Sequence, residues 1–282
     1  MTQPLLEYRN VQVSYNGTPV VHDVSFPVMP GEVVCIVGES GSGKSTLVKA
    51  AMGQLGEFGM VTRGDIWYEG SSIPDLPARD LRRLCGDDFA LVFQDCLAAL
   101  TPIRRIGDQV YESMSVHRSI SRAECDEMAC AMFEKLGLDD PMRVLEGYPF
   151  NLSGGMGQRV GIAIALLSEP RILFADEPTS ALDVIAQAQV IDLLRRINDT
   201  MGTTIVLVTH NMGVVRALAD HVLVLKDGNL VEFGDVSQVL DAPTQAYTRE
   251  LLASSPKLEK PSGRSRHIGE SSQPAADGAA HA

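Results

Sequence analysis

A chain of 282 residues with 45% hydrophobic and 21% charged side chains has the balance of a globular protein, sized for one large α/β domain with a subdomain and a tail. Its net charge of −12 argues against electrostatic nucleic-acid binding, which needs basic patches to displace counterions. No apolar run reaches the roughly 18 residues of a membrane span. The first residues have no basic stretch before an apolar core, and five scattered cysteines without a C-x-x-C pair speak against a secretory disulfide framework or a zinc site.

In chain order, Leu5–Val28 alternates in strand fashion, and Asn16-Gly17 marks a hairpin turn within it. Gly31–Val37 is a nearly continuous apolar strand, a glycine-rich loop follows, and Thr46–Met52 reads as helix. Gly64–Gly70 reads as a short strand. The stretch of about 95–167 changes character and is mostly helical, with Ser121 and Glu124 forming a capping-box pattern for a helix that stops near Gly137. Arg171–Ala175 and Thr204–Thr209 are buried-strand runs, apolar on both faces as in a sheet covered on each side. Val184–Met201 between them has helical 3–4 spacing and Gly202 as its stop. His221–Phe233 predicts a hairpin around Asp227-Gly228. Ser, Pro, Gly and Ala dominate 256–282, which predicts a disordered tail.

Gly38, Glu39, Ser40, Gly41, Ser42, Gly43, Lys44 and Ser45 fit G-x-x-x-x-G-K-[ST], with a strand before and a helix from Thr46 after. Glycines let successive N–H groups point inward at phosphate oxygens, and the helix N-terminus adds partial positive charge. Lys44 supplies a movable cation for the β- and γ-phosphates, and Ser45 a hydroxyl for Mg²⁺. Ile172–Pro178 brings the acidic partner: Asp176 for the magnesium shell and Glu177 to polarise an attacking water. Between these, Ser153-Gly154-Gly155 offers a hydroxyl and N–H groups at a helix start, a second anion nest in one chain.

With these motifs in this order, the chain resembles the nucleotide-binding subunit of an ABC transporter over roughly residues 5–255. The resemblance implies a P-loop ATPase (RecA-like) α/β core, an antiparallel β subdomain and an inserted α-helical subdomain at about 95–167. It implies ATP and Mg²⁺ as cofactors. By the same resemblance Gln94 touches metal and water, His210 is a switch near the γ-phosphate, Tyr15 stacks on adenine and Asp183 closes a loop that speaks across a dimer. The catalytic set is then Glu177, His210, Gln94 and Lys44, and the metal set Ser45, Gln94 and Asp176.

Several stretches are similar to the ATPases of oligopeptide, dipeptide and nickel importers: Tyr148-Pro149 before the second nest, Met156 after it, Ala181–Val184 with Gln187-Ala-Gln189, and above all Tyr247–Leu252 within a C-terminal segment of about 234–255. Phe150, Asn151, Gly157 and Cys96 depart from that branch's pattern. With no cysteine beyond Cys130, no iron–sulfur cluster is expected. The implied partners are a second ATP-binding subunit, copy or paralogue, sandwiching two nucleotides, two transmembrane permease subunits and, indirectly, a solute-binding protein. The implied location is the cytoplasmic face of the cell membrane, with no nucleic-acid partner. Peptide is the first expectation for the cargo, then nickel or another metal complex. A non-transport ABC ATPase of DNA repair or translation is the competing expectation. The short interval between Lys44 and Ser153 leaves no room for the long coiled coil of the repair type.

Overall fold

The computed structural model describes residues 3–180 and 182–254, so the tail expected over 256–282 lies outside the described residues. In chain order the elements are β1 (Leu6–Tyr15), β2 (Thr18–Val28), β3 (Val33–Val37), α1 (Lys44–Ala51), β4 (Gly59–Tyr68), β5 (Ser71–Ser72), α2 (Ala78–Asp87) and β6 (Phe89–Val92). A helical stretch follows: α3 (Ile106–His117), α4 (Arg122–Lys135), α5 (Pro141–Glu146) and α6 (Gly154–Leu166). The chain then runs through β7 (Ile172–Asp176), α7 (Val184–Met201), β8 (Thr204–Val208), α8 (Met212–Leu218), β9 (His221–Lys226), β10 (Asn229–Asp235), α9 (Val236–Asp241) and α10 (Ala246–Ser254).

Among the described residues the strands form one sheet of ten, ordered β5-β4-β1-β2-β10-β9-β3-β8-β7-β6. The β1–β2, β1–β4, β4–β5 and β9–β10 pairs are antiparallel, whereas β9-β3-β8-β7-β6 run parallel. This is a parallel P-loop core joined edge to edge to an antiparallel subdomain, with α3–α6 inserted between β6 and β7. The two hairpins form where the turn chemistry places them. Asn16 and Gly17 have φ of 49° and 77°, and Asp227 and Gly228 have 46° and 76°, the left-handed pair that a tight two-residue hairpin requires.

Two hydrophobic clusters flank the sheet. Along β3, Val33, Cys35 and Val37 join the cluster containing α6 and α7, while Val34 and Ile36 join the one containing Leu47 and Val48 of α1. A strand buried on both faces must be apolar at every position, which is why β3, β7 and β8 were visible as continuous runs. At the other edge, edge-to-face contacts from Tyr68 to Phe89 (4.8 Å) and Phe89 to Phe174 (5.4 Å) tie β4 and β6 to β7.

Two boundaries and two elements differ from the sequence expectation, for local reasons. α1 begins at Lys44 rather than Thr46, because Gly43 at φ 101° turns the chain directly into the helix. β4 starts at Gly59 rather than Gly64, since it pairs with β1 as far as Tyr15. α2 and β6 were not anticipated. α2 is mostly exposed and carries Gly86, a weak helix former, where a Cβ would strike the His117 ring at 1.9 Å. No helix among the described residues is long and apolar enough to cross a membrane.

Candidate functional site

Register brings the chemistry-bearing residues to one edge of the sheet. Ile36 of β3 lies opposite Val208 of β8, Val208 opposite Asp176 of β7, and Ala175 opposite Val92 of β6. The loops after these strands carry Gly38–Gly43, His210, Glu177 and Gln94. All therefore emerge at the carboxyl ends of adjacent parallel strands, where ligands of open α/β sheets bind.

The loop after β3 is fixed by its backing. A Cβ on Gly38 would lie 2.1 Å from the Leu225 carbonyl oxygen, so only glycine permits this approach of loop and strand end. Gly228 N–H donates to the Ser42 carbonyl at 3.0 Å from the same side. The buried Lys44 ammonium donates to the carbonyls of Gly38 (2.9 Å) and Glu39 (2.6 Å). Burial lowers its pKa, opposed by the negative charges of Glu177, Asp176 and Glu39. The Ser42 hydroxyl is buried and has no hydrogen-bond partner among the described residues. A buried hydroxyl of this kind calls for a missing partner, which an anion in the loop would provide.

Across the opening, Ser45 Oγ donates to Asp176 Oδ1 at 2.9 Å. This pair of hard oxygen donors suits magnesium. Glu177 follows with φ 49°, a left-handed conformation unusual for a carboxylate residue, held by its N–H to the Val208 carbonyl at 2.9 Å. His210 Nδ1 lies 3.2 Å from Glu177 Oε1. One cleft of about 430 Å³ is lined by Tyr15, Ser40, Gly41, Gly43, Lys44, Ser45, Thr46, Gln94, Asp176 and Glu177. Gly38, Glu39 and Ser42 stand in the loop behind that lining, and His210 reaches it through Glu177. Val20 of β2 also lines the cleft and was not singled out from the sequence, although its place one strand turn from Tyr15 was a usable signal.

Ser153, Gly154, Gly155 and Asp183 are not brought into this cleft. Ser153 caps α6, its Oγ accepting from Met156 N–H at 3.3 Å, and is exposed together with Gly154. Asp183 caps α7, accepting from the N–H groups of Ile185 and Ala186, both at 2.9 Å. The two helix starts adjoin: a Cβ on Gly155 would meet Ala186 Cβ at 3.4 Å. The structure accounts for the departures noted above. Leu97 fills the notch at Gly157 and Cys96 the notch at Gly161, where an added Cβ would come within 2.3 Å of each side chain. Gln158 Nε2 donates to the Phe93 carbonyl at 3.4 Å beside them. Cys96 is thus an inert packing group, its thiol pushed up to about 12 mainly by burial. Phe150 stacks on Tyr148 at 5.3 Å, and Asn151 Oδ1 accepts from Tyr148 N–H at 3.1 Å.

The chain is similar to solved and curated proteins along most of its length. It superposes with a TM-score of 0.72 and 29% identity on a dimeric ATP-binding cassette, MJ0796, in a post-hydrolysis state bound to ADP and Pi, covering 82% of this chain and 98% of that one. It is 42% identical over 266 residues to the peptidoglycan transport ATP-binding protein YejF of Agrobacterium fabrum, covering 92% of this chain and spanning 48% of that protein's length. It is 41% identical to a putative peptide import ATP-binding protein of Brucella melitensis, covering 91% of this chain and 79% of that protein. The model of the ABC transporter family matches residues 21–180, more than half of the chain, and the chain belongs to that family.

Proposed function

We propose that this chain is the ATP-binding and hydrolysing subunit that powers an importer of peptides, working as one of a pair at the cytoplasmic face of a membrane. The observation that carries the reading is the pairing of a phosphate cleft with a second anion nest that stands outside its lining. Lys44, Ser45, Asp176, Glu177 and His210 gather on the cleft, whereas Ser153 and its glycines stand exposed at the start of α6. The relatives named for peptide and peptidoglycan transport support the cargo class.

In the working site, Tyr15 stacks on the adenine and the Gly38–Gly43 N–H groups hold the phosphates. Lys44 exchanges the Gly38 and Glu39 carbonyls for phosphate oxygens, a trade its three donors allow. Ser45, Asp176 and Gln94 would hold magnesium, which when bound neutralises charge on the β- and γ-phosphates. Glu177 takes the proton of the attacking water, and His210 orients its carboxylate from 3.2 Å. The partner subunit's equivalent of the Ser153 nest closes on the γ-phosphate, and Asp183 fixes the adjoining helix start. A groove of about 320 Å³ lined by Phe93, Leu100, Met114 and His117, next to Gln94, is the surface we assign to a permease subunit. We also retain the division read from the sequence, a cassette over 5–255 with a helical arm at about 95–167.

The test is recovery from membranes under native conditions, followed by phosphate release with and without peptide. Co-purification with permease subunits and peptide-stimulated turnover is the expected result. Recovery with ribosomes or DNA would overturn the reading.

A further inference from the structure

In the working site Tyr15 meets the base, and its backbone is held from two sides. It ends β1 just before the Asn16-Gly17 turn, whose left-handed pair fixes the exit of the strand. It lies opposite Thr18 of β2 and opposite Gly59 at the start of β4. The Asn16 N–H donates to the Phe58 carbonyl at 3.0 Å, which pins the turn to β4 beside that pair. A tyrosine ring on a fixed backbone still turns about two side-chain bonds, so its direction depends on what it packs against.

On the β4 side that neighbour is Gly59. A Cβ on Gly59 would lie 2.6 Å from Tyr15 Cε1, 2.5 Å from the Leu55 carbonyl oxygen and 2.8 Å from Leu55 Cβ. The ring and the Leu55 backbone therefore meet over a position that has no side chain. Gly59 does not have a positive φ, so its backbone does not call for glycine. Phe58 and Met60 on either side carry large, exposed side chains, as strand alternation gives when residue 59 faces the other way. Side chains directly opposite in an antiparallel pair compete for one space, and here the ring takes all of it. The ring lines the cleft together with Val20. The Val20 carbonyl oxygen would lie 3.3 Å from a Cβ on Gly43, so Val20 joins the ring to the phosphate loop.

We propose that Gly59 is a positioning residue for the base: its missing side chain lets the Tyr15 ring rest on β4 in the orientation that stacks on adenine. The inference rests on the reading of Tyr15 as the adenine platform. Of the atoms that a methyl at position 59 meets, the ring carbon is the one that moves by side-chain rotation alone. Gly59→Ala therefore turns the ring off β4 and spoils its stacking, while the phosphate contacts of Gly38–Ser45 lie on a different loop.

The test compares ATP with inorganic triphosphate, which has the phosphates and no base. Equilibrium binding of each, with magnesium, is measured for the parent, Tyr15→Ala, Gly59→Ala and the double variant. Loss of stacking should make Tyr15→Ala weaken ATP about tenfold and leave triphosphate unchanged. Gly59→Ala should weaken ATP about fivefold, leave triphosphate unchanged, and raise the KM for ATP with little change in kcat. In the Tyr15→Ala background it should weaken ATP no further. A structural role would weaken both ligands alike, or weaken ATP equally with and without the ring, and either result overturns the proposal. So does unchanged ATP affinity in Gly59→Ala while Tyr15→Ala loses it. If Gly59→Ala alone fails to fold, the double variant decides. Recovery of folding supports the proposal by placing the ring in the Gly59 space, and continued failure overturns it. If Tyr15→Ala binds ATP as the parent does, the adenine reading of Tyr15 itself fails, and this inference falls with it.

Discussion

The two anion nests of this chain are built from the same elements, glycines and a hydroxyl at the start of a helix, yet they differ in everything around them. The nest at Gly38–Ser45 has a buried ammonium, two carboxylate residues across a cleft and a strand end pressed against its first glycine. The nest at Ser153–Gly155 has one capping hydroxyl, exposed glycine and a neighbouring helix start, with no cation or carboxylate bound to it among the described residues. Backbone N–H groups alone attract an anion weakly in water. They become selective when the site is dry and carries its own counter-charge. On the proposed function, the first nest holds a nucleotide by itself and the second completes a site already occupied.

The comparison is most exposed to failure at Glu177. Replacing it by Gln keeps the side chain's size and removes the base, so turnover should fall by about 10³-fold, within the usual range for general-base loss. ATP binding should persist, because the binding contacts lie on Lys44 and the loop. Phosphate release and equilibrium nucleotide binding measured on one preparation separate the two, and normal turnover would remove Glu177 from the role assigned here.

Lys44→Ala tests the asymmetry from the binding side. The ammonium already sits in the loop on two carbonyls, and losing charge-assisted bonds to phosphate should weaken ATP about 100-fold. The second nest has no such group to lose. Retained affinity would mean that N–H groups alone hold the nucleotide, and the contrast between the nests would collapse.

How legible these regions were follows from how local their determinants are. Gly38–Ser45 could be read because spacing within eight residues sets the loop, and the flanking strand and helix are strongly patterned. Asp176 and Glu177 could be read from the apolar run Ile172–Ala175 that ends on them. The packing of Leu97 and Cys96 into the Gly157 and Gly161 notches could not, because it joins segments some 60 positions apart and neither glycine has the positive φ that betrays a turn. The same holds for the Tyr247 ring, 4.4 Å from the Lys226 ammonium. Periodicity reports which face of an element is buried, but not which distant residue it meets. Two of the departures from the importer pattern, Cys96 and Gly157, belong to this one packing region, since each sits against α6 or on it.

That packing gives the third prediction. Gly161→Ala drives a methyl to within 2.3 Å of Cys96 Sγ, an overpacked core contact that should cost about 1–3 kcal/mol. Thermal unfolding should report the loss, and Gly161→Ala combined with Cys96→Ala should recover part of it by vacating the notch. If the double change is no more stable than Gly161→Ala alone, the notch is not what joins α6 to the Gln94 loop.

The smallest effect should come from Ser153→Ala, and it speaks most directly to the difference between the nests. The Ser153 hydroxyl caps α6 through Met156 N–H, and loss of such a cap costs about 1 kcal/mol. That is small against a fold with two buried clusters, so the chain should remain folded. Equilibrium binding of ATP to the isolated chain should stay close to the parent, because Ser153 is outside the cleft lining. Turnover at high protein concentration should fall about tenfold if the hydroxyl and its helix start close on a partner's nucleotide. The informative measurement is turnover against protein concentration. The parent should gain specific activity as chains pair, and Ser153→Ala should gain less of it. A parent whose specific activity is flat down to high dilution would mean that one chain carries a whole site, and the second nest would then be only a helix cap.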